Sequence, residues 1–175
     1  MTSRITICSM LVGGDRRSIG RSNEVAELVI KNPKRAIELF QCLWDSDSST
    51  RMRAADAMEK LSRNHATLLQ PFKTQLLGLL AGAVQQEMRW HLALTIPRLR
   101  LTVPECHQVA ELLQTYLQDR SSIVKTFAMQ ALSELTIQDD GLRPMVIEII
   151  LSLTRTGTPA MRARGRILLK QLKPV

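Results

Sequence analysis

The chain has 175 residues, a formal net charge of +8 and 45% hydrophobic residues, which excludes a wholly disordered chain. Aromatic residues make up only 3%, and abundant Leu, Ala, Met and Arg favour helices over a β-sandwich or barrel. Apolar runs stay below the roughly 18 residues needed to cross a bilayer, so we expect no membrane partner.

Three cysteines, Cys8, Cys42 and Cys106, are scattered singly along the chain. An odd number without motif spacing predicts no disulfide framework and favours a reducing compartment, so we expect a cytoplasmic protein. Residues 5–12 are apolar and faintly resemble a signal peptide, but the Gly-Gly-Asp-Arg that follows is a poor cleavage site. We therefore interpret residues 1–14 as a loose tail or as a segment that caps the core.

Helical patterns begin after this segment. The first predicted helix spans residues 22–31, with Ser22 or Asn23 as its N-cap. Pro33 starts a second helix, and a polar turn then leads into a third. Helix pairs follow at residues 66–82 with 87–100, 104–118 with 122–136, and 143–155 with 158–172. Pro97 should bend or end its helix near Leu94, and Gly165 is expected to mark close packing.

Two sets of residues recur with one period. Basic residues return at intervals of 38, 36 and 37, and leucines at 37, 37 and 36. The basic set is Arg51, Arg89, Lys125 and Arg162, and the leucine set is Leu43, Leu80, Leu117 and Leu153. Such self-similarity predicts an array of one helix–turn–helix unit. The array is predicted to occupy one domain, 15–175, with a half unit at 21–31 and repeats at 33–63, 66–100, 104–136 and 143–173.

The first full unit resembles a HEAT repeat of the armadillo-like class, through the run of residues 36–40, Asp45, Arg51 and the alanines and leucine of the next helix. HEAT repeats carry an aspartate in the turn and a basic residue six positions later. Asp119 and Lys125 keep that separation in the third unit, whereas the second and fourth units lack the aspartate. The resemblance implies an all-α fold, a short right-handed α-solenoid of about four hairpins preceded by an N-terminal helix, with a general role in binding.

Positive charge is concentrated on the second helix of each pair. The second helices contain 13 Lys and Arg but only 4 Asp and Glu, counted over residues 51–63, 87–100, 122–135 and 159–173. The rest of the chain contains 11 Lys and Arg and 12 Asp and Glu. Because second helices line the concave side in the proteins this chain resembles, the resemblance implies a basic concave surface. The candidate contact residues are Arg53, Arg89, Trp90, Arg98, Arg100, Arg162, Arg164, Arg166 and Lys170.

A structural role is the alternative for the recurring basic residues. They would form a ladder that bonds turn aspartates and loop carbonyls between repeats, with Asp45–Arg51 and Asp119–Lys125 as its pairs. The basic strip of the last unit either keeps the end of the array soluble or binds an anion. Trp90 either stacks on a base or partner side chain, or belongs to the core or to a repeat junction.

Catalytic and metal-binding patterns are weak. The three histidines have no paired spacing, and Cys106 beside His107 fits a small buried filler better than a nucleophile. Some DNA glycosylases use a HEAT-like array with an aspartate in a basic cleft, but this is analogy of fold alone. The acids available for such a role would be Asp56, Glu59 and Glu87.

We therefore predict a non-catalytic scaffold, without cofactor or metal, that binds an acidic protein segment. The alternative is a module that binds the phosphate backbone of nucleic acid. The pattern does not predict an oligomeric state.

Overall fold

The computed structural model describes residues 5–15 and 18–172. Within them the chain is all-helical without strands, which confirms the predicted class. The helices are α1 (Ile7–Leu11), α2 (Ser22–Lys31), α3 (Ala36–Gln41), α4 (Ser48–His65), α5 (Lys73–Gly82), α6 (Gln86–Thr95), α7 (Val103–Tyr116), α8 (Ser122–Leu135), α9 (Arg143–Thr156) and α10 (Pro159–Leu172). Among these described helices, none combines the length and the apolarity that crossing a bilayer requires.

Successive helices pack in pairs, α3 with α4, α5 with α6, α7 with α8 and α9 with α10. The second member of each pair also packs against the second member of the next, and α2 packs against α4. Helices α2, α4, α6, α8 and α10 thus follow one another in chain order, and we call them the second-helix row. Each pair buries its apolar side against its neighbours, as expected for units too small to fold alone.

Side-chain caps fix where several helices begin. Asp47 accepts a hydrogen bond from the Thr50 N–H at 2.8 Å at the start of α4, and Thr102 forms a capping box at the start of α7. These bonds satisfy N–H groups that a helix start leaves unpaired. The N-cap of α2 is Arg21, which makes no side-chain cap hydrogen bond, so the prediction of Ser22 or Asn23 as N-cap is wrong. Ser22 is the first residue of the helix, and its hydroxyl donates to Asp56 of α4.

Pro97 and Gly165 have the predicted effects. Helix α6 ends at Thr95 and continues as a 3-10 turn over Ile96–Arg98, because proline lacks the N–H that would extend the helix. Helix α10 runs unbroken through Gly165. A Cβ at Gly165 would lie 2.0 Å from Thr154 Oγ1 on α9 and 3.3 Å from Met129 Cε on α8, so the prediction of close packing is confirmed.

The recurring leucines mark the core. Leu43, Leu80 and Leu117 are 1%, 0% and 7% exposed and belong to one apolar cluster. Leu153 is half-buried and lines a groove of about 340 Å³ between α7 and α9. Three of the four predicted positions are therefore buried in the core, and the fourth is partly open.

Residues 5–15 and 18–20, which we call the N-terminal arm, belong to the packed fold. Helix α1 packs against α2, α3 and α4 and completely buries Ile7 and Leu11. Residues 1–4 of the predicted tail lie outside the described part. Cys8 forms a disulfide with Cys42, just after α3. The expectation of no disulfide is therefore wrong, and it no longer supports a reducing compartment.

Candidate functional site

Arg51 lies at the junction between two successive hairpins. Its guanidinium donates to the backbone oxygens of Asp45 and Ser46, at 2.7 and 2.9 Å, in the turn before α4. It also donates to the Gln85 side chain at 3.3 Å, just before α6. Asp45 therefore accepts a hydrogen bond from Arg51 through its backbone oxygen, and the Arg51 guanidinium is bound to groups within the fold.

Arg89 makes the corresponding junction one hairpin further along. It donates to the Ala83 carbonyl at 2.7 Å and to the Asp119 carboxylate in the turn before α8. Asp119 thus bonds to the preceding hairpin, and Lys125 contributes only a weaker attraction. Burial raises the pKa of Asp119, but a backbone N–H and the Arg89 guanidinium lower it more, so the net shift is downward.

Arg53 is the most buried of the predicted contact residues, with 1% of its surface exposed. Its guanidinium donates to a ring of backbone oxygens on the N-terminal arm, those of Leu11, Gly13, Asp15 and Ser18. Gly20, with φ +53°, completes the enclosure, because a Cβ there would lie 2.9 Å from Arg53 Nε. Arg53 does not present its charge to a partner, contrary to the prediction. The predicted domain boundary at residue 15 also cuts through this ring.

The sequence carries one signal for this enclosure. Gly13, Gly14 and Gly20 all have positive φ, a backbone region that other residues rarely adopt. Three such glycines near the start of the chain indicate a loop that wraps a group closely. They do not indicate which side chain is wrapped, because Arg53 lies more than thirty residues further on.

Arg98 connects α4 with α8. It donates to the Glu59 carboxylate at 2.8 Å and to the Ser62 hydroxyl at 2.9 Å, and it lies 3.7 Å from the Glu134 carboxylate. Glu59 is only 3% exposed. Burial raises the pKa of Glu59, but Arg63 and Arg98 lower it more, so the net shift is downward. The charge of Arg98 is thereby neutralised within the fold.

An open groove of about 590 Å³ lies beside Arg98. It is lined by Arg63, Pro97, Arg98, Leu99, Arg100, Glu134, Ile137 and Gln138. Arg63 and Arg98 are both committed to Glu59. The Arg100 side chain is exposed, while its backbone N–H donates to Gln70 at 2.9 Å. The groove is therefore less basic than its arginine content indicates.

Trp90 and Arg164 are half-buried. Trp90 packs against the apolar core and meets the His91 ring edge-on, with 5.6 Å between ring centroids. These contacts favour the core or junction alternative for Trp90. Arg164 donates to the Gln130 side chain on α8 at 3.2 Å, which is a neutral partner, so the charge of Arg164 is not cancelled.

Arg162, Arg166 and Lys170 lie exposed on α10, and we call them the α10 ridge. Their spacing of four residues places them along one face of the helix. Considering residues 5–15 and 18–172, none of the three side chains has an ion-pair or hydrogen-bond partner, and α10 contains no acidic residue. The ridge is where unneutralised positive charge collects.

A buried polar cluster joins α2, α4 and α6. The Lys60 ammonium donates to the Ser22 hydroxyl at 3.1 Å and to the Asp56 carboxylate, and His91 Nε2 lies 3.9 Å from that carboxylate. Burial lowers the pKa of His91, although attraction by Asp56 opposes the shift. Ser22 and Asp56 are 0% and 6% exposed, so the cluster faces packed helices and acts as a bridge between them.

Cys106 and the histidines form no evident reaction centre. Cys106 is 1% exposed, and burial raises the pKa of its thiol, which disfavours the nucleophilic thiolate. The neighbouring His107 lies 3.0 Å from the Asp139 carboxylate. In the described part of the chain, no three His, Cys, Asp or Glu side chains are grouped so that they could hold a metal ion.

Comparison with known proteins bears on the fold alone. No protein-family model matches the chain, and no curated protein matches it in sequence. The fold is similar to the crystal structure of an engineered protein from the Northeast Structural Genomics Consortium, with a TM-score of 0.64 and 14% sequence identity. The similarity covers 94% of this chain and 77% of that one.

Proposed function

We propose that the chain is a HEAT-like right-handed α-solenoid that acts as a non-catalytic scaffold and binds an acidic protein segment. The solenoid is supported by units that recur every 36 to 38 residues and by second helices that pack in chain order. The hydrogen bond from Arg89 to the turn aspartate of the next hairpin also supports it. The observation that carries the binding role is the exposed, unpaired α10 ridge.

The proposed binding surface is the α10 ridge rather than the whole second-helix row. Arg53, Arg89 and Arg98 are committed to groups within the fold, so their charges are not available to a partner. Eight residues separate the first and last ridge cations, which corresponds to about 12 Å along a helix. An acidic segment with several carboxylates over that length is complementary to the ridge. Such charge pairing mainly accelerates association and selects the partner.

A reversed-charge variant tests this surface. In the ridge variant, Arg162, Arg166 and Lys170 are changed to Glu. In a matched control, three exposed cations elsewhere, Lys31, Lys34 and Arg120, are changed to Glu, so that both variants have the same net charge. Each protein is used to capture partners from a lysate of the source organism, at low and at moderate salt.

We expect to capture acidic partners that bind the original chain and the control variant but not the ridge variant. Salt should weaken their binding, because exposed charges are screened over about 10 Å at 0.1 M ionic strength. Retention of every partner by the ridge variant, or equal loss in both variants, would show that the ridge is not the binding surface.

Nucleic-acid binding is the second candidate, because the ridge contains arginines without any acidic residue on the same helix. Three phosphate contacts on duplex DNA would give a slope of log affinity against log salt of about −2.7. Fluorescence anisotropy with a labelled duplex and a labelled single strand, at two salt concentrations, measures this slope. Duplex binding with such a slope, lost in the ridge variant, would favour this candidate over the protein scaffold.

A further inference from the structure

The N-terminal arm is held to the rest of the fold by a covalent link, by hydrogen bonds and by apolar packing. Its covalent link is the Cys8–Cys42 disulfide, which joins residues 34 positions apart. Its polar links include the ring of backbone oxygens around the Arg53 guanidinium and a hydrogen bond from the Arg35 guanidinium to the Ile5 carbonyl at 2.9 Å. Its apolar link consists of the completely buried side chains Ile7 and Leu11, with Cys8 and Met10 packed partly buried against the core.

The arm has little stability of its own. Helix α1 has five residues, far below the length at which an isolated helix persists in water. Residues 12–15 and 18–20 are exposed, and they include three glycines with positive φ, which lose much conformational freedom on ordering. Segments with few buried contacts open before the rest of a protein does. The disulfide therefore contributes a large share of what holds the arm.

The arm covers a position that is less completely buried elsewhere in the row. Arg53 lies two residues after the recurring basic residue Arg51. The equivalent positions on α6, α8 and α10 are His91, Phe127 and Arg164, and all three are half-buried rather than fully buried. Arg53 is fully buried because the arm lies over it. Removing the arm would make position 53 resemble its counterparts.

We propose that the Cys8–Cys42 disulfide is a redox-sensitive latch, and that its reduction releases the N-terminal arm and exposes the Arg53 guanidinium. The proposal is independent of the binding role of the α10 ridge. The reductant is a dithiol, whose thiolate attacks the sulfur of Cys8, the less buried of the two residues. Cys42 leaves as a thiolate and takes up a proton. The second thiol of the reductant then displaces Cys8, so the protein gains two thiols and the reductant becomes a disulfide.

The first measurement establishes the latch itself. Thiols are counted in denaturant before and after treatment with dithiothreitol. Of the three cysteines, one should react in the oxidised protein and three in the reduced protein, since only Cys106 is free. Three reactive thiols in protein folded under oxidising conditions would overturn the proposal.

The second measurement follows the arm by hydrogen exchange and Arg53 by phenylglyoxal labelling, both with mass spectrometry. Reduction should accelerate exchange in residues 5–15 and 18–20 by about tenfold or more and leave α5–α10 unchanged. Arg53 should become labelled only after reduction, whereas exposed Arg162 should be labelled in both states and serves as the internal reference. Because these readouts use the unmutated chain, a variant that fails to fold does not obscure the result.

Two outcomes would refute the latch. Unchanged exchange and unlabelled Arg53 in fully reduced protein would show that the remaining contacts hold the arm without the disulfide. Accelerated exchange throughout the chain would show that the disulfide stabilises the whole fold rather than the arm alone. A Cys8→Ser variant, which cannot form the disulfide, should match the reduced protein in both measurements without any reductant.

Discussion

Gly165→Ala is the sharpest test of how the last hairpin packs. A methyl group at this position would lie 2.0 Å from Thr154 Oγ1, and 3.2 and 3.3 Å from Thr154 Cβ and Met129 Cε. These atoms belong to α9 and α8, so the methyl group would enter a three-helix contact. The Thr154 hydroxyl also donates to the Ile150 carbonyl at 2.6 Å, and it must move to admit the new group.

The expected cost follows from three contributions. Loss of the Thr154 hydrogen bond costs about 0.5–1.5 kcal/mol, and forcing extra volume into a packed site costs about 1–3 kcal/mol. Replacing glycine by alanine inside a helix raises the free energy of unfolding by about 1 kcal/mol, because alanine has the higher helix propensity. We expect the Gly165→Ala variant to lose about 1–3 kcal/mol in the free energy of unfolding, measured by urea titration, or about 2–4 °C in melting temperature per kcal/mol.

Gly78→Ala is the matched control. Gly78 lies within α5, and a Cβ there meets no heavy atom within 4 Å, so only the helix-propensity gain of about 1 kcal/mol remains. The two substitutions should therefore change stability in opposite directions. Adding Thr154→Ala to the Gly165→Ala chain removes the closest clashing atom and should recover part of the loss. A Gly165→Ala variant as stable as Gly78→Ala would refute the three-helix contact.

Three further predictions concern ionisable side chains that make contacts within the fold. Arg53→Met removes the donor from the ring of backbone oxygens and should lower the free energy of unfolding in urea by about 3 kcal/mol or more. Arg98→Met leaves buried Glu59 with one fewer partner and should lower it by about 1–3 kcal/mol, whereas Arg100→Met, at an exposed side chain, should change it by less than about 0.5 kcal/mol. The lowered pKa of His91 means that the unfolded chain binds a proton more readily than the folded one. Stability from this residue is thus present above about pH 6.5 and is lost as pH falls below that value. His91→Gln should flatten the decline in unfolding free energy between about pH 7 and pH 5.5.

Most helix positions were predictable because local signals determine them, although α5 begins at Lys73 rather than at residue 66, after two 3-10 turns. Apolar periodicity, prolines near helix starts and polar turns act over a few residues, and Pro97 ends α6 one residue after the predicted point. The Cys8–Cys42 disulfide depends on a contact across 34 residues, with a Cα–Cα distance of 5.6 Å. That contact arises only once α1 has packed against α3. No local spacing signals it.

The distribution of surface charge was harder to predict, because a charge count treats all sides of a helix alike. Successive residues on a helix point about 100° apart, so basic residues on one helix face different neighbours. On α4, Arg51 bonds the preceding turn and Arg53 enters the arm. The sequence shows an excess of basic residues on both α4 and α10. Only the packing shows that α4 uses its charges internally.

The position of a helix in the row explains why its charges are neutralised or exposed. Helices α4, α6 and α8 each pack between two other members of the row. Arg98, directly after α6, therefore meets Glu59 on one side and Glu134 on the other. Within the described residues, α10 packs against α8 and α9, and its row neighbour offers Arg164 only a neutral amide, that of Gln130. Arginines with the same repeat spacing thus hold adjacent units together inside the row and become an electrostatic surface on α10.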